Sequence, residues 1–141
     1  MLVTTTTVIA RYAETDQMGI VHHSVYPIWY EAARSDFCKK AGLPYSKMEK
    51  SGVLTPLVDL HCKYIRPAHY EEEIEIKTKI SKLTPVKVEF SYEVFKKGET
   101  IPINTGTTLH ALVGKDLRPI NTKKLHPDIY QVMENCMQED A

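Results

Sequence analysis

The feature that most constrains the fold is a helical hydrophobic stripe early in the chain. After Ser24, apolar or small residues recur at spacings of three and four, which places them on one face of a helix. The members of this stripe are Val25, Ile28, Trp29, Ala32, Ala33 and Phe37. The stripe predicts a helix of about five turns that Gly42 and Pro44 end. Ser24 is its predicted N-cap, and Pro27 is tolerated in the first turn because no N–H is needed there.

Strand-like patterns occupy most of the remaining chain. A β-rich run before Tyr12 predicts one strand, and alternating apolar and polar residues predict four more after the helix. The alternation covers residues 58–64, 74–80, 86–94 and 101–113. Gly106 predicts close packing on one face of the last strand. A weaker helical spacing predicts a C-terminal helix at about 125–137, followed by frayed residues.

This order of elements predicts an α+β fold. One long helix followed by a meander of antiparallel strands requires the sheet of about five strands to curl over the helix, because the stripe on the helix must be buried. The 141 residues are enough for one substantial core and few for two, so we expect residues 1–141 to form a single domain.

Composition excludes several classes of protein. Lys+Arg and Asp+Glu number 18 each, so the overall charge does not favour a nucleic-acid partner. No stretch approaches 18 apolar residues, so we expect no membrane span. Cys38, Cys62 and Cys136 are odd in number and widely spaced, which argues against a disulfide framework and a zinc site. The simplest expected location is the cytoplasm.

Asp16 lies on the predicted loop between the first strand and the long helix, where Gly19 allows a turn with positive φ. The first N–H groups of a helix have no intrahelical partner and carry partial positive charge. They can stabilise a developing oxyanion beside a fixed carboxylate. A carboxylate and an oxyanion hole suffice for acyl transfer from a thioester, although these residues alone do not identify the substrate.

The same region resembles a known family. The pattern is Tyr12-x-Glu14-Thr15-Asp16-x-Met18-Gly19-x-Val21-His22, with Tyr26 and Trp29-Tyr30-Glu31-Ala32-Ala33-Arg34 behind it, and it continues through Tyr64-Ile65-Arg66-Pro67-Ala68. It resembles the signature of the 4-hydroxybenzoyl-CoA thioesterase family, and in pattern it is similar to small bacterial acyl-CoA thioesterases, including those associated with the Tol-Pal system. The resemblance covers roughly four-fifths of the chain, with a dozen matched positions at fixed spacing.

The resemblance implies a hotdog fold, in which a curved antiparallel sheet wraps a long central helix. It implies hydrolysis of an acyl-CoA to the free acid and CoA in a homodimer or homotetramer, with the active site at the dimer interface. No metal or redox cofactor is implied, because coenzyme A is part of the substrate. The acyl group is not readable from the sequence, since a few pocket residues distinguish short, aromatic and long chains.

The resemblance also implies roles for residues around the loop. Asp16 is the expected nucleophile or general base, and the choice between these roles stays open. The backbone N–H of His23 is expected to point at the thioester oxygen, with Val21 and His22 beside it. Tyr12 is expected either to line the acyl pocket or to be a core aromatic. Two further residues, Glu14 and Thr15, are expected to brace the loop by hydrogen bonds.

The resemblance also makes four residues candidates for binding the coenzyme A moiety. These are Arg66, Lys82, Thr84 and Lys87. Each also has a plainer interpretation, because lysines in alternating strands usually form the solvated face and Arg66 can orient a strand end. The histidines have no spacing that supports a metal site, including a set that would combine His22 or His23 with His61 or His69.

Two other functions are compatible with the sequence. A hotdog hydratase or dehydratase would need a histidine and a carboxylate that face each other across the pocket, which is not the pattern of this loop. A non-catalytic module that binds acyl-CoA or acyl carrier protein would bind without turnover, and the intact Asp16 argues against it.

Overall fold

A five-stranded antiparallel sheet packs against one long helix in the computed structural model, which describes residues 1–138. The strand order is β1-β3-β4-β5-β2. The strands are β1 (Thr4–Ile9), β2 (Leu57–Tyr64), β3 (Glu73–Thr84), β4 (Lys87–Lys96) and β5 (Asn104–Ala111). The helices are α1 (Val25–Lys40), α2 (Tyr45–Lys50), α3 (Thr122–Leu125) and α4 (Pro127–Met137). This architecture confirms the predicted α+β class.

Helix α1 buries a face that is rotated from the predicted stripe. Ile28 is 57% exposed and Ala32 is exposed, so the prediction is wrong for these two members. Tyr26 and Tyr30 are buried in their place, together with Trp29, Ala33, Phe37 and Cys38. A tyrosine can be buried where its hydroxyl finds a partner, and the Tyr30 hydroxyl donates to Oδ1 of Asn104. The periodicity predicted the helix correctly. The face that is buried depends on tertiary hydrogen-bond partners such as Asn104, which the periodicity does not reveal.

The predicted N-cap of α1 does not form. Ser24 occupies the N-cap position, but its backbone is already helical, with φ −71° and ψ −13°, and its side chain makes no capping hydrogen bond. Its hydroxyl lies 2.7 Å from Nδ1 of His22 instead. The loop before the helix therefore satisfies this hydroxyl locally.

The shorter helices differ from the prediction more than the strands do. Helix α2 was not predicted, because it spans one and a half turns and buries only Met48, which is too little for a recognisable period. Helix α4 begins at Pro127, close to the predicted start at 125. The predicted fraying falls on residues 139–141, outside the described residues. In the described part of the chain, no helix combines the length and apolar character that a membrane crossing requires.

Strand β2 lies at an open edge of the sheet. Its alternation is as predicted, but the expected half-burial is wrong for the isolated chain, because seven of its eight residues are exposed. The strand pairs only with β5. Val58 and Leu60 are 53% and 39% exposed, respectively. An apolar strand with unpaired backbone groups is a surface that a second chain can extend.

Gly106 of β5 allows α1 to approach the sheet closely. A Cβ at this position would lie 2.6 Å from the carbonyl oxygen of His61 and would overlap the ring of Tyr30. The Tyr30 ring also stacks on Tyr92, with centroids 4.3 Å apart and planes 3° from parallel. This confirms the close packing predicted at Gly106.

A buried chain of hydrogen bonds crosses the core from Arg34 to Thr55. Nη1 of Arg34 donates to the Tyr92 hydroxyl over 3.1 Å, and that hydroxyl lies 2.6 Å from Oγ1 of Thr108. His110 lies 2.9 Å from Oγ1 of Thr108 through Nε2 and 3.0 Å from the Thr55 carbonyl through Nδ1. A carbonyl only accepts, so Nδ1 carries a proton. Burial lowers the pKa of His110 to about 4, so the ring is neutral near pH 7 and Nε2 accepts from Thr108.

We expect Gly106→Ala to destabilise the fold by about 1–3 kcal/mol, because the backbone of β2 and the ring of Tyr30 must both move to admit the methyl group. Urea denaturation measures the change. The control is Thr107→Ala on the same strand, which should stay within about 0.5 kcal/mol of the unsubstituted chain. Equal stability of the two variants would show that the close approach is not a constraint.

The buried His110 should make the fold sensitive to acid. Burial and the nearby Arg34 lower the pKa of His110 from 6.5 to about 4. In the unfolded chain this histidine binds a proton below about pH 6.5, whereas in the folded chain it stays neutral down to about pH 4. The free energy of unfolding should therefore fall by about 2 kcal/mol between pH 7.5 and pH 5. Urea denaturation across this range measures the loss. His110→Gln should abolish this pH dependence, whereas His61→Gln, at an exposed histidine, should keep it.

Candidate active site

Asp16 lies in a tight loop between a 3₁₀ turn at Tyr12–Glu14 and helix α1. Its Oδ1 accepts the N–H of Met18 over 2.8 Å, and its carbonyl accepts the N–H of Gly19 over 2.9 Å. Gly19 has φ +78°, the left-handed conformation predicted for this turn. Oδ2 of Asp16 has no hydrogen-bond partner among residues 1–138. The loop thus fixes the carboxylate by one oxygen and leaves the other available.

Glu14 and Thr15 brace this loop by hydrogen bonds, as predicted, and Glu14 also ties it to helix α1. Glu14 is 7% exposed, and its Oε2 accepts Nε1–H of Trp29 over 3.1 Å. Its carbonyl accepts the N–H of His22 over 2.8 Å. The hydroxyl of Thr15 donates to the Tyr12 carbonyl over 2.7 Å. Trp29 is a core residue, as predicted, and its one polar atom ties the loop to the helix.

Only one of the three predicted oxyanion amides is available. The N–H of Val21 donates to the Ala68 carbonyl over 2.8 Å, and the N–H of His22 donates to the Glu14 carbonyl over 2.8 Å. The N–H of His23 has no acceptor within residues 1–138. His23 precedes the N-cap Ser24, so its N–H lies next to the N-terminus of α1, which carries partial positive charge.

An open pocket of about 310 Å³ brings Asp16 and His23 together. Its other lining residues are Met18, Ile20, Val21, Tyr26, Tyr64, Ile65, Arg66 and Pro67. Most of these side chains are apolar, so the pocket can accept an acyl group beside the carboxylate and the free N–H. The structure thus places Asp16, Val21, His23 and Arg66 of the predicted site at one pocket.

Tyr12 and His22 lie beside this pocket and do not line it. Tyr12 is 76% exposed and packs edge-on against Tyr70 with ring centroids 5.6 Å apart, so the alternative prediction of a core aromatic is wrong. Its role in an acyl pocket stays a prediction. The His22 ring contacts the Ser24 hydroxyl and the ring of His23, whose centroid is 4.0 Å away.

Arg66 separates the Asp16 pocket from a second open pocket of about 260 Å³ at the β4–β5 turn. Its Nη2 lies 3.4 Å from Oε2 of Glu99 and 3.4 Å from the Ile101 carbonyl. Both contacts are long and the side chain is partly exposed. Arg66 thus helps to orient this turn while its charge faces both pockets.

Three predicted coenzyme A residues lie far from Asp16 in the same chain. Lys82, Thr84 and Lys87 are at the β3–β4 turn, whereas the Asp16 loop follows Ile9, which pairs with the first residue of β3. Since β3 has 12 residues, the two ends are about 36 Å apart. The Thr84 hydroxyl also accepts the N–H of Lys87 over 3.0 Å. The structure does not bring these residues to Asp16 within one chain.

Sequence reasoning assigned no role to Tyr64, which is part of the pocket. Its hydroxyl donates to the carbonyl of His23 over 2.6 Å, and its ring packs edge-on against Tyr26 at 5.2 Å. The alternation of β2 shows which face Tyr64 occupies. It cannot show that this face meets a loop 41 residues earlier.

The arrangement is suited to acyl transfer. Asp16 and His23 line one pocket with mostly apolar side chains, and a carboxylate and a backbone N–H can together attack or hydrate a carbonyl and stabilise the resulting oxyanion. In residues 1–138, no three His, Cys, Asp or Glu side chains cluster as a metal site requires.

Known proteins share this sequence and fold. Residues 18–103 match the model of the family described as "Thioesterase superfamily". The Bacillus subtilis protein named "Putative acyl-CoA thioesterase YneP" is 39% identical over 127 residues, which are 89% of this chain and 91% of that protein. A crystal structure of a DHNA-CoA thioesterase from Staphylococcus aureus is 35% identical with a TM-score of 0.89, and covers 96% of this chain and 91% of that one.

A more distant structure shows the same fold. The 4-hydroxybenzoyl-CoA thioesterase variant complexed with 4-hydroxybenzoyl-CoA has a TM-score of 0.80 at 20% identity, and covers 95% of this chain and 98% of that chain. These likenesses confirm the predicted hotdog fold and the predicted class, a thioester hydrolase.

The family match covers most of the pocket. It begins at Met18 and therefore includes His23, Tyr64 and Arg66, while Asp16 lies just before it. Because the family model matches more than half of the chain and the Bacillus subtilis relative covers 89% of it, the protein belongs to the thioesterase superfamily.

Proposed function

We propose that this thioesterase hydrolyses an acyl-CoA to the free acid and CoA, with Asp16 as nucleophile or general base. One observation carries the proposal. Asp16 and His23 line the same largely apolar pocket, and neither Oδ2 of Asp16 nor the N–H of His23 has a hydrogen-bond partner among residues 1–138. The names of the Bacillus subtilis and Staphylococcus aureus relatives support a CoA thioester as the substrate.

In this proposal the thioester carbonyl oxygen accepts the N–H of His23. Attack on the carbonyl carbon moves its π electrons onto that oxygen, and the N–H and the helix terminus stabilise the resulting negative charge. When the carbonyl re-forms, the C–S bond breaks and its electron pair leaves with CoA as a thiolate. A thiolate leaves without strong acid assistance, so the site needs no dedicated proton donor for this step.

Asp16 can provide the attack by two routes. As a nucleophile, its carboxylate forms a mixed anhydride with the acyl group, and water then hydrolyses the anhydride to regenerate Asp16. As a general base, it takes a proton from the water that attacks the carbonyl directly. Both routes need the same ionised carboxylate, and both yield the free acid and CoA.

We propose that no resident cofactor takes part, since coenzyme A is itself part of the substrate. Arg66 at the rim is suited to a phosphate, because its guanidinium makes only long contacts with Glu99 and Ile101. The β3–β4 turn with Lys82, Thr84 and Lys87 can take part only from another copy of the chain. The cytoplasmic location and the Tol-Pal association stay predictions.

We propose that the active form is a homodimer, or a homotetramer built from it, with the pocket at the interface between subunits. Two observations support this. The apolar edge strand β2 is unpaired on one side, and Tyr64 at its end lines the pocket that holds Asp16. Pairing of β2 with a second copy would satisfy its backbone groups and cover Leu60.

The role of Asp16 can be tested with Asp16→Asn, which keeps the shape of the side chain and removes its charge. We expect thiol release from a panel of acyl-CoAs, from acetyl to palmitoyl with benzoyl and 4-hydroxybenzoyl, to fall at least about 100-fold. The melting temperature should barely change, because Oδ1 can still accept the N–H of Met18.

A matched control for this experiment is Asp116→Asn. Asp116 makes the same local hydrogen bond, in which Oδ1 accepts the N–H of Arg118 two residues later, but it is exposed and does not line the Asp16 pocket. Its substitution should leave turnover unchanged. Full activity of Asp16→Asn would refute the assignment. A large drop in the melting temperature of Asp16→Asn, together with the loss of activity, would show that Asp16 is chiefly structural.

The proposed interface can be tested with Leu60→Lys, because a charge on the apolar edge strand opposes pairing with a second copy. We expect light scattering to show a shift towards the monomer and thiol release to fall in parallel. Leu125→Lys, at an exposed leucine of α3, is the control and should keep the assembly. An unchanged molar mass of Leu60→Lys would place the interface elsewhere.

A further inference from the structure

Two backbone hydrogen bonds close the Asp16 loop into a short antiparallel ribbon. The N–H of His22 donates to the Glu14 carbonyl over 2.8 Å, and the N–H of Asp16 donates to the Ile20 carbonyl over 3.0 Å. The strand of the ribbon that leads into α1 is joined to the helix by the N–H of Val25, which donates to the His22 carbonyl over 3.0 Å. The strand that carries Asp16 has no backbone hydrogen bond to α1 among residues 1–138. Backbone contacts alone therefore leave the tilt of this strand against the helix undetermined.

A side-chain hydrogen bond supplies the missing link. Nε1–H of Trp29 donates to Oε2 of Glu14 over 3.1 Å. Both side chains are buried, and a hydrogen bond in a buried, low-dielectric site is stronger than one in water. Trp29 lies in the second turn of α1, the helix that Tyr30 and Gly106 hold against the sheet. This contact, the Glu14–Trp29 clamp, therefore ties the strand that carries Asp16 to a fixed element of the core.

The Glu14 carboxylate is surrounded by donors. Its Oε1 accepts the backbone N–H of Arg11 over 2.8 Å, and its Oε2 accepts the indole N–H of Trp29. Nη2 of Arg11 also lies 3.5 Å from Oε2. A carboxylate only accepts, whereas the amide of a glutamine has one acceptor oxygen and an NH₂ group that donates. Glu14→Gln would therefore set a donor against a donor, at Arg11 or at Trp29, although the shape of the side chain barely changes.

We propose that Glu14 is a positioning residue for thioester hydrolysis and that Trp29 acts with it. The Glu14–Trp29 clamp holds the Asp16 carboxylate at the N-terminal end of α1, where the proposed oxyanion forms. This inference rests on the proposed role of Asp16. Glu14 needs no contact with the reacting atoms, and it does not line the Asp16 pocket. A displacement of a catalytic group by about 1 Å can cost about 10²-fold in rate, so a small tilt of this strand is enough to slow the reaction.

The first test is Glu14→Gln. We expect kcat for acyl-CoA hydrolysis to fall at least about tenfold, because the strand that carries Asp16 is released from the helix. KM should change little, because the residues that line the pocket are unchanged. The matched control is Glu31→Gln, the same substitution at an exposed glutamate of α1, and it should keep the kcat of the unsubstituted enzyme.

The second test combines Glu14→Gln with Trp29→Phe. Trp29→Phe removes the indole N–H and keeps an aromatic ring in the core, so it should lower kcat by a similar factor. Two residues that act through one contact are not additive, so the double variant should lose no more kcat than the worse single variant. Independent roles would instead multiply the two losses. All assays run below the melting temperature of each variant, and if Glu14→Gln does not fold, the kcat of Trp29→Phe alone decides.

The indole N–H gives a readout that needs no substrate, since Trp29 is the one tryptophan of the chain. We expect its NMR signal to shift and its exchange with water to become faster in Glu14→Gln, and to stay unchanged in Glu31→Gln. An unchanged indole signal, an unchanged kcat, an effect on KM alone or multiplied losses would each overturn the role of Glu14. If the unsubstituted enzyme hydrolyses none of the acyl-CoAs, the proposed function fails, and the indole signal still shows whether the clamp exists.

Discussion

The close approach of Tyr30 to Gly106 sets the position of α1 on the sheet, and the pocket depends on it. Gly106 has no side chain, so the Tyr30 ring can lie against β5 and donate to Asn104. A helix is a stiff element, so fixing its middle also fixes its N-terminal turn. Trp29, one residue before Tyr30, then meets Glu14 and holds the Asp16 loop beside the start of the helix.

The loop before α1 holds several of its own polar groups in local hydrogen bonds. The Glu14 carboxylate accepts the indole N–H of Trp29, and the Glu14 carbonyl accepts the backbone N–H of His22. Of the three predicted oxyanion amides, those of Val21 and His22 are paired, and the N–H of His23 has no acceptor among residues 1–138. A donor that is already oriented costs little reorganisation when charge develops. The His23 N–H differs from those of Val21 and His22 only in lacking a carbonyl acceptor among residues 1–138.

The structure separates polar groups that serve the core from those that serve the pocket. His110 and Arg34 lie in a buried hydrogen-bonded chain with Tyr92 and Thr108, and none of these residues lines the Asp16 pocket. The neutral His110 is a structural histidine, and its burial should lower the free energy of unfolding at low pH. The edge strand β2 differs from this core. In a single chain, the backbone groups on its outer side have no strand partner and the side chain of Leu60 is exposed.

The sequence by itself determined the α+β class, the long helix and the Asp16 loop before it, because these depend on local periodicity and on turn residues such as Gly19. The 4-hydroxybenzoyl-CoA thioesterase resemblance was also carried by residues at fixed spacing. Only the tertiary structure decided which face of α1 is buried, where hydroxyl partners on distant strands favoured Tyr30 over Ile28.

The tertiary structure also decided which parts of the candidate site meet. It left one free amide among three, placed the β3–β4 turn at the opposite end of β3, about 36 Å long, from the strand pair that leads into the Asp16 loop, and brought Tyr64 to His23. These outcomes depend on contacts between residues far apart in the chain. A sequence pattern records which face of an element is apolar, but the partner of each hydroxyl and carbonyl is chosen only when the elements pack.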